Sequence, residues 1–180
     1  IIPKMTKKID YNSLLHFLKK SEIKERDKLI LETEINLMQM FPFVSERRIK
    51  VHEGELLAKI LSQLPTVVVN SWDSYYYILK KEDFLHIHKK IYLSKLDYIK
   101  EVFDCDDFAM LMTILFSSIL NINSVAFALS YINNFIPHAF NLVMLKDKSE
   151  IKPYILEPQT GVIEEAGGKA VSYTHLTLPT

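Results

Sequence analysis

The longest apolar run in the chain, F-A-M-L-M-T-I-L-F-S-S-I-L from Phe108 to Leu120, suits a buried core helix and is too short for a bilayer span, which needs about 20 residues. Directly after it, at Asn121, the pattern changes. S-V-A-F-A-L-S-Y, H-A-F-N-L-V-M-L and K-P-Y-I-L-E-P are short, apolar and separated by polar, turn-like clusters, as antiparallel strands are. Helical spacing before residue 121 and strand-like segments after it predict an α+β fold, helical first and closed by an antiparallel sheet.

Upstream, Asn12 to Lys19 and Ser21 to Met40 place apolar residues at helical spacing. Ser21 reads as the N-cap of the second helix, with Glu22 and Glu25 in its first turn, and F-P-F at Phe41 to Phe43 as its end. A third helix is expected from Glu53 to Leu64, stopping at Pro65. Thr66 to Val69 is a buried strand or an extended connector. Trp72 to Leu79 is aromatic and fits either state, and Lys80 to Lys100 carries mostly helical spacing.

The 180 residues suit one domain, taken as residues 1–170. The last ten, V-S-Y-T-H-L-T-L-P-T, resemble translated read-through of a sequencing adapter, so His175 is given no role. A start at Ile1 without Met leads us to expect a piece of a longer protein. With 22 basic and 22 acidic residues there is no net field to draw the chain to nucleic acid or to a membrane. The basic residues of the N-terminal third, Lys4 to Lys50, read as solvated helix faces. One Cys excludes an internal disulfide.

That single thiol, Cys105, lies in F-D-C-D-D-F-A, between Asp104 and the pair Asp106 and Asp107. A thiol reacts as thiolate, which neighbouring negative charge disfavours. The sequence also predicts that Cys105 starts a helix, capped by Asp104 or Asp106, where the positive end of the dipole favours thiolate. His138 opens the strand H-A-F-N-L-V-M-L. A period of two puts His138 and Phe140 on one face and Asn141 on the other, so Asn141 is badly placed to orient the imidazole. If K-D-K-S-E turns a hairpin, Glu157 of the next strand can lie opposite or diagonal to His138 on the same face, whereas a one-residue slip in register would put it on the other. Cys105, His138 and Glu157 can then act as nucleophile, base and orienter, with the Cys105 N–H as one oxyanion donor.

D-C-D-D-F-A, then H-A-F-N, then E-P-Q resembles the papain-like cysteine protease domain at the C-terminus of galactose-binding mushroom agglutinins and its bacterial and phage relatives. The resemblance spans roughly Phe103 to Gln159. It implies a papain-like fold, a catalytic triad of Cys105, His138 and Glu157, and activity switched on by calcium at Asp106, Asp107 and Gln159. The expected function is a calcium-dependent cysteine peptidase working through an acyl-thioester on a protein or peptide substrate. A transglutaminase-like or amidase activity shares that chemistry. A calcium-binding interaction module with a degenerate Cys105 is the non-enzymatic alternative. His86 and His88 form H-x-H, but in a helix such a pair does not face one way.

Overall fold

The computed structural model describes residues 10–65, 67–71, 73–91, 93–100, 102–132, 136–166 and 174–177. Thr66, Trp72 and most of the excluded C-terminal stretch lie outside these. Helix α1 (Tyr11–Lys20) is capped by Asp10, whose carboxylate accepts from the N–H groups of Asn12 and Ser13, each at 3.2 Å. Ser21 closes α1: its hydroxyl donates to the Leu18 carbonyl at 2.6 Å. The expected N-cap of the second helix is therefore the C-cap of the first, since a Ser side chain can bond the chain behind it as readily as the chain ahead.

Helix α2 (Glu25–Arg47) continues through Pro42, where an end was expected. Proline removes one intrahelical donor and usually kinks or breaks a helix. Here the last turn is held by tertiary contacts, with Val44 fully buried and Arg47 Nε 3.8 Å from an Asp83 carboxylate oxygen. Strand β1 (Ile49–His52), helix α3 (Glu53–Gln63), β2 (Val67–Asn70) and β3 (Tyr75–Lys80) follow. Helix α4 covers only Lys81–His88 of the long helix expected up to Lys100. Beyond it Ile91, Leu93 and Leu96 are buried from a loop and a single 3-10 turn, so their helix-like spacing serves as anchorage.

Helix α5 (Cys105–Leu120) precedes β4 (Val125–Ile132), β5 (Ile136–Asp147), β6 (Glu150–Glu157), β7 (Val162–Glu165) and β8 (Thr174–Thr177). The chain is α+β, as its periodicity predicts, but the sheet is mixed. The three expected strands form the antiparallel run β4–β5–β6, which β7 extends, whereas β3 joins β5 parallel at Leu79 and Leu145, and β2 joins β8 parallel. The parallel joint follows from α4 and α5, which carry the chain over one face of the sheet from β3 to β4 and leave the place between them for β5. β8 belongs to the stretch left out of the sequence argument.

The twelve-residue β5 is the axis of the molecule. On one face Val143 and Leu145 join Phe84, Phe108, Met112 and Phe116 in a core, with the Phe84 and Phe116 rings 5.1 Å apart. On the other, Phe140, Leu142 and Met144 pack with Leu56, Ile60 and Tyr76. No helix among the described residues is long and apolar enough to cross a membrane.

At the junction of α5 and β4, Asn121 takes the left-handed conformation, φ 54, that a non-glycine residue tolerates best as Asn. Asn121→Val is expected to cost about 1–2 kcal/mol, read as a lower thermal midpoint, while Asn121→Gly leaves it unchanged or higher.

Candidate active site

Helix α5 is aligned on β5 at both ends. Just past its C-terminus the Ser124 carbonyl accepts from the Met144 N–H at 3.1 Å, and Val125 pairs with Val143. Nearer its N-terminus the Ala109 carbonyl accepts from Asn141 Nδ2 at 2.8 Å. The helix thus points its first turn toward the start of β5. Cys105, the first residue of α5, and His138, near the start of β5, lie at the same end of this helix–strand pair.

His138 and Glu157 meet as the pattern predicts. Imidazole Nε2 and carboxylate Oε2 are 2.6 Å apart, with both side chains about three-quarters buried. The β5–β6 register supplies this contact: Asn141 pairs with Leu156, so Phe140 and Glu157 come level on the opposite face, one alternation from His138. The two-residue connection Lys148–Ser149 sets that register, with Lys148 at φ 55. Past Glu157 the chain turns back, its carbonyl accepting from the N–H groups of Thr160 at 3.3 Å and Gly161 at 2.8 Å. With Nε2 on the carboxylate, Nδ1 is the nitrogen available to a reacting group.

Cys105 is half-buried and makes no hydrogen bond to His138. Its nearest polar company is acidic. One ligand atom from each of Asp104, Cys105 and Asp106 lies within 4.8 Å of the others, the one such group among the described residues. Asp104 and Asp107 form the capping box of α5, with the Asp104 N–H donating to Asp107 at 3.2 Å. Asp107 is therefore engaged in holding the helix start. The Asp106 carboxyl is pushed above the usual carboxylate range, first by the hydrogen bond it shares with Asp104 and next by burial. Carboxylates held this close repel each other, and their oxygens are donors of the hard class that a calcium ion takes. Gln159, two residues past Glu157, keeps Nε2 enclosed without a partner, as Glu157 does Oε1.

His86 and His88 separate, as helical spacing requires. His86 packs on Phe43 at 5.4 Å and His88 stacks on Phe84 at 6.1 Å, where burial lowers the His88 pKa.

One residue has a role beyond what sequence reasoning gave it. Asn141, rightly excluded as the orienter, is fully buried, and its Nδ2 lies 2.8 Å from the Ala109 carbonyl, 3.0 Å from Thr113 Oγ1 and 3.2 Å from the Ala126 carbonyl. It ties the first half of α5 to β5 and β4. The signal was a lone Asn in a strand otherwise apolar from Ala139 to Leu145. Asn141→Ala is expected to destabilise the fold by about 1–3 kcal/mol in denaturant titration. Asn141→Asp is expected to cost more at neutral pH, because it sets a carboxylate against carbonyl oxygens, and to recover as acid protonates it.

No family model matches the chain, and no curated protein matches it. Solved structures share its fold, among them the following two. One is described as a PSL1a-E64 complex, with a TM-score of 0.59 and 18% identity over 72% of this chain. The other is the Polyporus squamosus lectin bound to the human-type influenza-binding epitope Neu5Aca2-6Galb1-4GlcNAc, with a TM-score of 0.54 and 17% identity over 70%. The chain spans about half the length of each, 51% and 49%. At this identity the likeness is one of fold, shared with a mushroom agglutinin.

Proposed function

We propose that this chain is a papain-like thiol hydrolase, a calcium-dependent cysteine peptidase in which Cys105 is the nucleophile, His138 the base and Glu157 the group that orients it. The observation that carries the reading is the 2.6 Å contact of His138 Nε2 with Glu157, at the end of β5 toward which α5 directs Cys105.

Each residue then has a defined task. Glu157 accepts a hydrogen bond from Nε2–H, which leaves Nδ1 as the acceptor, and it stabilises the imidazolium once that forms. Nδ1 takes the Cys105 proton, and the thiolate attacks the substrate carbonyl. The Cys105 N–H and the helix dipole stabilise the oxyanion. Collapse of the adduct passes the proton from Nδ1 to the leaving amine and leaves an acyl-thioester, which water hydrolyses with His138 again as base. Asp104 and Asp106 would hold the calcium ion, with Gln159 and the free oxygen of Asp107 as further candidates. Bound there, calcium supplies positive charge beside the thiolate. The reading requires thiol and imidazole to come into contact in the active form.

The test is the rate of iodoacetamide labelling of Cys105 against pH, with calcium and with chelator, in parent and His138→Ala proteins. We expect labelling at pH 7 to be about 10-fold or more faster with calcium and His138 both present, because an unperturbed thiol of pKa about 8.5 is mostly protonated there. E64, named in the PSL1a complex, is expected to label Cys105 under the same conditions. Slow labelling under every condition would reject the peptidase and leave the calcium-binding module.

A further inference from the structure

We propose that Ser130 is the resting partner of His138 Nδ1 and competes with the Cys105 thiol for it. The proposal rests on the reading of His138 as the base. Ser130 on β4 pairs directly with His138 on β5, so the two side chains share one face of the sheet. Ser130 is 8% exposed, and its Oγ is enclosed with no hydrogen-bond partner. A buried hydroxyl left unpaired is costly, and a strand position opposite an imidazole is an expensive place to leave one.

Among the described residues, His138 meets Glu157 from β6 at Nε2 and stacks on Phe140 of its own strand, with ring centroids 6.3 Å apart. Neither engages Nδ1. Directly opposed residues of an antiparallel pair hold their Cβ atoms about 5 Å apart. In this structure the serine hydroxyl and Nδ1 are not bonded to each other, but a serine turning between staggered χ1 wells can bring its hydroxyl within hydrogen-bond range of a cross-strand ring nitrogen. With Nε2–H given to Glu157, Nδ1 is an acceptor and the serine hydroxyl a donor, so the two complement each other. The same nitrogen must receive the thiol proton, and Cys105 makes no hydrogen bond to it in this structure. Ser130 therefore holds the base in reserve, and the thiol must displace it.

Two readouts on the full chain test this. The first is the imidazole 15N spectrum of His138 in parent, Ser130→Ala and Ser130→Thr proteins. The second is the iodoacetamide labelling rate of Cys105 at pH 7 with calcium. We expect Ser130→Ala to move the Nδ1 resonance toward that of an acceptor without a hydrogen bond and to speed labelling by about 3- to 10-fold, the worth of one hydrogen bond. Ser130→Thr, which keeps the hydroxyl, should resemble the parent in both. A structural defect would slow labelling, so a gain in rate is diagnostic. An unchanged Nδ1 resonance in Ser130→Ala, or slower labelling, overturns the proposal. If parent labelling does not depend on His138, the peptidase reading fails by itself, and the resonance still decides whether Ser130 engages the imidazole.

Discussion

The attachment of α5 to β5 is the constraint on which the rest of the molecule depends. Asn141 ties the helix to the strand through the Ala109 carbonyl and the Thr113 hydroxyl, and the Met144–Ser124 bond fixes the far end. Helix dipole, thiol and acidic cap are thereby delivered to one end of the sheet. The apolar core around Phe84, Phe108 and Phe116 gives this arrangement its driving force, but apolar packing is non-directional and would tolerate a slide of the helix along the strand. A buried amide with specific acceptors does not tolerate one.

At that end the electrostatics oppose each other. The first turn of α5 offers a positive dipole to Cys105, while Asp104, Asp106 and Asp107 surround it with negative charge. The upward displacement of the Asp106 pKa by Asp104 shows the cluster already resisting full ionisation. Imidazolium at His138 and a hard cation among the carboxylates are the two compensating charges that the proposed function invokes.

The strands after Asn121 and the α5 helix were legible because their signals are local: a period of two, a period of 3.6, and turn residues between them. The His138–Glu157 contact followed from the same alternation once the hairpin turn was placed. What escaped the sequence depended on distant parts of the chain. Pro42 within α2 is tolerated because Val44 and Arg47 find tertiary partners, and Ser21 could cap in either direction. The loop around Leu93 carried helix-like spacing for reasons of burial. The parallel joint of β3 with β5 depends on a crossover that no local pattern records. Asn141 was read correctly for what it does not do, but its hold on Ala109 requires knowing which helix lies beneath β5.

The two faces of β5 divide the strand's inheritance. Its odd positions, Asn141, Val143 and Leu145, answer to α5 and the helical core, while its even positions answer to the imidazole and to the second core on the other side. Each set can drift in composition with little reference to the other, because their neighbours do not overlap. What neither set can absorb is a change in the number of residues between His138 and Asn141. Such a change would exchange the audiences of every side chain along the strand, so length at this point is held more tightly than identity.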